Sequence, residues 1–132
     1  MASIRKEITV ALRPDAVWDR IADIGALHTR LVPGFVVDTR LEPGARIVTF
    51  GNGIVAREAI VDQDDAARRL VWTIQQGRMT HHNGAIQVFP AEQGGSRIVW
   101  VADILPHELK DVVSGMMDQG MAAMKATLDA GA

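Results

Sequence analysis

The last quarter of the chain carries a long amphipathic pattern, which limits the possible folds more than any other feature. After Leu105-Pro106 the apolar residues recur at helical spacing and form one broad stripe: Leu109, Val112, Val113, Met116, Met117, Gly120, Met121, Met124 and Leu128. The opposite face carries Lys110, Asp111, Asp118 and Lys125. A helix from Pro106 to about Leu128 would be roughly 36 Å long. It would cross a small domain, so it needs a broad apolar surface to lie on.

The residues before this helix are predicted to supply that surface as an antiparallel sheet. Ser3 to Leu12 alternates between apolar and polar residues, as a half-buried strand does. Six further strand-like runs between Phe35 and Ile104 are separated by these turn signals: Pro43-Gly44, Gly51-Asn52-Gly53, Asp62 to Asp65, Gly77 and Gly94-Gly95. A short helix from Pro14 and a second helical piece from Ala26 to Leu31 precede them. We expect an α+β fold, in which a curved seven-stranded antiparallel sheet wraps the C-terminal helix.

Alternation within three strands predicts which side chains face the helix. In the second strand the odd positions are expected to point inward: Phe35, Val37, Thr39 and Leu41. In the fifth and sixth strands the even positions are expected inward: Leu70, Trp72, Ile74, Ile86 and Val88. The third, fourth and seventh strands are apolar on both faces, so their facing stays open. An apolar convex face would be covered either by a partner or by large side chains at its rim.

Composition narrows the classes of function. The 132 residues suit one domain with one core, and the net charge of -2 leaves no basic surplus for a nucleic-acid partner. No Cys is present, which excludes disulfides and thiolate sites. No apolar run is long enough to span a bilayer. We therefore expect a cytoplasmic monomer or homodimer without a cofactor.

The order of elements resembles the helix-grip, START-like superfamily (SRPBCC), and in particular its bacterial polyketide cyclase/dehydrase-like branch. The resemblance covers essentially the whole chain and is carried by these stretches: Pro14-Asp15-Ala16-Val17-Trp18 with Pro33-Gly34-Phe35-Val36, Ala56-Arg57-Glu58-Ala59-Ile60 with Asp64, Arg68-Arg69-Leu70-Val71-Trp72, and Gly94-Gly95-Ser96-Arg97-Ile98-Val99-Trp100. It implies a cavity between sheet and helix for lipids, polyketides or other apolar molecules. It does not imply one activity, because the superfamily contains enzymes, carriers and receptors.

Glu58 is the first candidate for a functional side chain. The resemblance implies that it faces the cavity, since related ligand-sensing proteins have an inward acidic residue in the matching strand. An inward Glu58 would serve as a proton donor, a base or a ligand anchor. The alternative is that Arg57 and Glu58 lie on alternate faces of a rim strand, each solvated or paired across strands.

His82 and the two tryptophans are the next candidates. His82 shares the inward parity of its strand, and an imidazole can donate, accept or act as a base near neutral pH; the alternative is an ordinary loop histidine. His81 points the other way, so the two histidines do not form a metal site. Trp72 is expected in the wall. For Trp100 one register points it inward, and the other points Asp103 inward instead.

The predicted ligand-binding residues come from the sheet and the long helix: Glu58, Trp72, Ile74, His82, Ile86, Val88, Trp100, Met116, Met117 and Gly120. The leading hypothesis is a carrier or sensor that binds a small hydrophobic ligand. The second is a polyketide cyclase or dehydratase in which Glu58 or His82 transfers protons. The third is a protein-interaction module that uses the convex face of the sheet. No motif of a hydrolase is present.

Overall fold

Seven strands, all paired antiparallel, form one sheet in a computed structural model that describes residues 2–75 and 77–131. The strands are β1 Ala2–Val10, β2 Val36–Glu42, β3 Ala45–Phe50, β4 Val55–Asp64, β5 Arg69–Ile74, β6 His81–Pro90 and β7 Ser96–Leu105. Their spatial order is β1-β7-β6-β5-β4-β3-β2, so consecutive strands from β2 to β7 are neighbours and β1 pairs with β7. The meander predicted from the turn signals is confirmed.

The helices lie where the sequence predicts them. Between β1 and β2 are α1 Pro14–Ala22, a 3-10 turn Ile24–Ala26 and a π-helical turn Leu27–Leu31. After β7 a 3-10 turn, His107–Leu109, leads into α2 Lys110–Ala130. A further 3-10 turn, Glu92–Gly94, connects β6 to β7. This arrangement is the α+β helix-grip fold expected from the sequence.

The apolar face of α1 covers one end of the sheet. Pro14 begins the helix, where its missing N–H costs no hydrogen bond. Val17, Trp18 and Ile21 are buried, and the indole N–H of Trp18 donates to Asp65 Oδ1 at 2.9 Å. This end of the domain is therefore filled with side chains.

A bulge in β2 makes part of the predicted facing of that strand wrong. The pairing with β3 shifts between Val36 and Asp38, so one extra residue enters β2 and its parity changes there. Val36 is consequently buried, whereas Val37 is 53% exposed. Thr39 and Leu41 lie on the side of the short helices, where Thr39 Oγ1 is 3.1 Å from His28 Nδ1. Leu41 borders Gly25 but stays 57% exposed.

The two halves of α2 have different environments. The C-terminal half packs into the core through Met117, Gly120, Met121, Met124 and Leu128, all of which are buried. Polar contacts join α2 to β1 and the residue after it: Lys6 Nζ lies 2.9 Å from Asp118 Oδ1, Lys125 Nζ donates to the carbonyl of Thr9 at 2.6 Å, and the N–H of Ala11 donates to Asp129 Oδ1 at 3.1 Å. In the N-terminal half, Val112 is 63% exposed. The polar contacts that join α2 to β1 and Ala11 thus all lie at residue 118 or later.

The facing of the undecided strands is resolved by burial. In β7 the residues Ile98, Ala102 and Ile104 are buried on the concave side, which is the register that turns Trp100 inward and Asp103 outward. On the convex side Val99 and Val101 line a shallow depression together with polar side chains of this chain: Arg5, Arg69, Asn83, Gln87 and Arg97. The guanidinium of Arg97 lies 4.6 Å from the ring centroid of Phe89 on the same face. Long polar side chains therefore cover the apolar convex residues.

Candidate functional site

A cavity of about 520 Å³ lies between the concave face of the sheet and the N-terminal half of α2. Its walls are mostly carbon, supplied by sheet residues and by residues of the helical segments: Ala56, Leu70, Trp72, Ile74, Ile86, Trp100, Leu27, Leu31, Val113, Met116 and Met117. Phe35 and Phe50 add an edge-to-face aromatic pair with ring centroids 5.4 Å apart. The volume and the lining are typical of sites for small organic molecules.

The cavity reaches the surface beside the N-terminal end of α2. Val112 and Ile54 both line it, although they are 63% and 44% exposed. Gly77 and Arg78, which connect β5 to β6, are exposed lining residues too. The entrance is therefore bounded by three segments: the first turns of α2, the β3–β4 turn and the β5–β6 connection.

Glu58 faces the cavity and is paired with Arg46. The two residues lie directly opposite each other on β4 and β3, and Arg46 Nε donates to Glu58 Oε1 at 2.8 Å. Both are nearly completely buried, with residue exposures of 3% for Arg46 and 5% for Glu58. The guanidinium also lies 5.9 Å from the ring centroid of Trp72, within the range of a cation–π contact. The cavity therefore contains an ion pair without net charge.

His82 also faces the cavity, and one of its ring nitrogens is engaged. The ladder between β5 and β6 ends at the pair Trp72–Gly84, and beyond it the N–H of Ile74 donates to Nδ1 of His82 at 3.2 Å. Since Nδ1 accepts a hydrogen bond, the proton of the neutral ring resides on Nε2. Burial, with a smaller contribution from His81, lowers the pKa of His82 from 6.5 to about 4, although Asp103 opposes the shift. At neutral pH this imidazole is uncharged.

Trp72 and Trp100 form an aromatic wall beside these polar groups. Their ring centroids are 6.2 Å apart and their planes are inclined by 46°. Within the described residues, Trp100 Nε1 is the only buried side-chain nitrogen or oxygen that has no hydrogen-bond partner. The indole N–H of Trp72 donates to no described residue either, and it is not among the enclosed atoms.

The structure places most of the predicted site residues around the cavity. Its lining includes Glu58, Trp72, Ile74, His82, Ile86, Trp100, Met116 and Met117. Val88 and Gly120 do not border it. Val88 belongs to the packed core that also contains α1 residues, and a Cβ on Gly120 would lie only 3.0 Å from Trp100 and 3.1 Å from Phe35. At Gly120 the helix backbone packs directly against these two rings, so no space for a ligand remains there.

Arg46 is the functional residue that the sequence analysis missed. It was overlooked because the facing of β3 was undecided, yet a signal was present. Arg46 and Glu58 are each six residues from Asn52 in the Gly51-Asn52-Gly53 turn. In a hairpin centred on Asn52 they are cross-strand neighbours, and opposite charges at such positions attract.

The described residues contain neither a metal-binding cluster nor a membrane-spanning helix. Over residues 2–75 and 77–131, no group of three or more His, Asp or Glu side chains is arranged to hold a metal ion. No helix in the same part of the chain is long and apolar enough to cross a membrane.

Several solved structures share this architecture. The chain is similar to the protein XoxI from Bacillus cereus, with a TM-score of 0.87, 19% identity and coverage of 97% of this chain and 96% of that one. A START superfamily protein from Mycobacterium smegmatis matches with a TM-score of 0.79 and 12% identity, over 98% and 99% of the two chains. The di-domain aromatase/cyclase BexL of the BE-7585A biosynthetic pathway matches with a TM-score of 0.84 and 16% identity, over 98% of this chain and 47% of BexL. At these identities the likeness shows the fold alone.

The family is shown by the sequence itself. None of the curated proteins matches the chain significantly. The family model described as "Polyketide cyclase / dehydrase and lipid transport" matches residues 1–129, nearly the whole chain. Together with the helix-grip fold and its cavity, this match shows that the chain belongs to the polyketide cyclase/dehydrase and lipid transport family.

Proposed function

We propose that this protein binds a small hydrophobic molecule in its cavity and acts as a carrier or a sensor. The observation that carries the proposal is the combination of an apolar cavity of about 520 Å³ with an entrance to solvent. An empty apolar cavity is unfavourable, because its walls lose contacts that a bound molecule would restore. An apolar ligand that fills the cavity is also removed from water. This stabilises the complex by about 25 cal/mol per Å² of apolar surface buried.

The state of the polar groups favours binding over proton transfer. Glu58 is held by Arg46, so its carboxylate already has a partner inside the cavity. His82 uses its lone pair at Nδ1 for the N–H of Ile74 and is uncharged at neutral pH. A general base needs a free lone pair, and a general acid needs a labile proton. At His82 the one lone pair is engaged, and the remaining N–H belongs to a neutral imidazole, which is a hydrogen-bond donor rather than an acid at neutral pH.

Binding can be tested with a neutral fluorescent probe, N-phenyl-1-naphthylamine. The unmodified protein is expected to enhance its emission saturably. Ile74→Trp should fill part of the cavity and weaken the probe's affinity by at least tenfold, because Ile74 lines it. Val61→Trp is the matched control, since Val61 lies on β4, is 57% exposed and does not line the cavity. An equal loss of probe affinity in both folded variants, or no binding of the probe by the unmodified protein, would contradict the proposal.

The natural ligand can be sought directly by native mass spectrometry of the purified protein. A carrier or sensor should release a molecule whose mass is unchanged after long incubation with the protein. If the released molecule were instead converted, and if Glu58→Gln or His82→Ala abolished conversion with the fold intact, the enzyme hypothesis would replace this one.

A further inference from the structure

The hydrogen-bonding state of His82 fixes what it can offer to a ligand. Nδ1 accepts from Ile74, so Nε2 carries the proton and is a donor. Within residues 2–75 and 77–131, Nε2 has no acceptor, and it is not enclosed by protein atoms as Trp100 Nε1 is. The carbonyl of His82 is held as well, by the hydroxyl of Thr73 at 2.6 Å. The ring therefore presents a positioned N–H to the cavity.

Gly84 allows the ring of His82 to pack beside Trp72 in the wall of the cavity. A Cβ added to Gly84 would be 2.8 Å from Cε2 of Trp72 and 3.1 Å from Cε1 of His82. Cζ2 of Trp72 lies 3.0 Å from the same point, so the rings of Trp72 and His82 pack side by side against the backbone of Gly84. A side chain at position 84 would occupy that point. The small residue thus permits two rings to converge.

The charge in the interior of the cavity disfavours an anionic group beside His82. Arg46 is the buried cation, but Glu58 already compensates it at 2.8 Å. His82 is uncharged at neutral pH, and Arg78 lies in the exposed β5–β6 connection. A carboxylate moved from water into this apolar space would pay its desolvation without an uncompensated cation to face.

We propose that His82 Nε2–H determines ligand specificity by donating a hydrogen bond to one neutral carbonyl-type oxygen of an aromatic ligand. This inference rests on the proposed binding function and narrows it to ligands that are neutral, aromatic and carry an acceptor. The aromatic body would lie against the walls formed by Trp72, Trp100 and the helix methionines. An sp² oxygen can accept this hydrogen bond through one of its lone pairs.

Three probes of similar shape separate the contributions: 2-acetylnaphthalene, 2-isopropenylnaphthalene and 2-naphthoate. The first two differ by an oxygen in place of a CH₂ group, and the third is an anion. Calorimetry should show that the ketone binds about 3- to 10-fold more tightly than the alkene, which corresponds to one net neutral hydrogen bond. The anion should bind more weakly than the ketone.

Two substitutions at position 82 distinguish the donor from the structural role of the ring. In His82→Gln the amide reaches the place of Nε2 and keeps a donor there. In His82→Asn the amide reaches only the place of Nδ1, so it can still accept from Ile74 but offers no donor to the ligand. The preference for the ketone should survive in the Gln variant and disappear in the Asn variant. His81→Asn, on the exposed face of β6, is the control and should retain the preference.

An independent measurement uses the unmodified protein, in case a variant does not fold. The imidazole ¹⁵N spectrum should show His82 protonated at Nε2, and 2-acetylnaphthalene should shift this resonance while 2-isopropenylnaphthalene should not. Equal affinities for ketone and alkene, an unshifted resonance, or tightest binding of 2-naphthoate would overturn the inference and leave the binding function standing. If neither the neutral naphthalenes nor N-phenyl-1-naphthylamine bound, the proposed function would fail with it.

Discussion

The ion pair of Arg46 and Glu58 occupies a place where a single charge is costly. Both side chains are about 95% buried, and each is the other's only ionic partner among the described residues. Removing one of them leaves the other buried and uncompensated, which costs about 3 to 5 kcal/mol. Replacing both with apolar residues of similar size removes this penalty.

We therefore expect Arg46→Met to lower the free energy of unfolding by about 3 to 5 kcal/mol, whereas the double variant Arg46→Met/Glu58→Leu recovers most of the loss. Urea denaturation measures both. The matched control is Arg57→Met, which breaks an exposed pair with Glu42 of β2 and should cost less than about 1 kcal/mol. Equal effects of Arg46→Met and Arg57→Met would show that the buried pair has no special role in stability.

His82 should make the stability of the protein depend on pH. Its pKa is lowered by burial from 6.5 to about 4, so between these values the unfolded chain binds more protons than the native one. The stabilising contribution is complete above pH 6.5 and is lost as the pH falls to about 4. The loss amounts to roughly 2 to 3 kcal/mol.

The measurement is urea denaturation of the unmodified protein and of His82→Gln at pH 7 and pH 4.5. The unmodified protein should lose more stability on acidification than the Gln variant, which has no imidazole to protonate at this position. Parallel losses in the two proteins would assign the pH dependence to other groups.

For single residues, the sequence predicts the face of the strand on which a side chain lies better than it predicts the partner of that side chain. The inward positions Trp72, Ile74 and Ile86 follow from simple alternation, and the structure has them inward. The partner of Glu58 depends on which residue of β3 lies opposite, and this required the hairpin register. The tautomer of His82 depends on where the β5–β6 ladder ends, and no local pattern encodes that.

The two glycines inside α2 illustrate how one helix changes its surroundings along its length. Nothing lies within 4 Å of a Cβ added at Gly115, whereas a Cβ at Gly120 would meet Trp100 at 3.0 Å and Phe35 at 3.1 Å. Gly115→Ala should therefore stabilise the protein by up to about 1 kcal/mol through helix propensity. Gly120→Ala should gain the same propensity but lose about 1 to 3 kcal/mol to overpacking.

Thermal unfolding of both variants, followed by circular dichroism, tests this contrast. The melting temperature should rise for Gly115→Ala and fall for Gly120→Ala. If both variants were stabilised equally, the rings of Trp100 and Phe35 would have to move freely, and the packing of Gly120 would not fix the cavity wall.

Element boundaries are predicted well where proline and glycine mark the turns. The facing of side chains is predicted wrongly where the backbone is irregular. Pro14, Pro33-Gly34 and the glycine turns mark elements that the structure confirms. The bulge between Val36 and Asp38 contains no glycine or proline that would mark it in the sequence. Simple alternation therefore continues through it and predicts the wrong face for Val37. A bulge depends on the strand beside it, which a single strand's pattern does not contain.

For the molecule as a whole, the cavity predicts an uneven response to ligand. Residues 110–116 of α2 are exposed or half-buried, whereas all the buried residues of the helix lie from Met117 onward. Segments with few buried contacts open at lower free energy. Amide hydrogen exchange should be faster in the first two turns of free α2 than in its last three turns.

Saturation with a bound naphthyl probe should slow exchange most strongly in those first turns and in the β3–β4 turn. At about 100-fold excess over the dissociation constant, stabilisation of about 2.7 kcal/mol is expected. Uniform protection along α2, or protection confined to the convex face, would place the bound molecule elsewhere.

The exposed cavity-lining residues of α2 have a consequence for how such a protein can diverge. Val112 and Met116 line the cavity without belonging to either core cluster, so substitutions there change the recognised shape while leaving the core intact. Each new ligand preference would then cost little folding stability. A scaffold of this kind can acquire a new ligand specificity through substitution of single side chains.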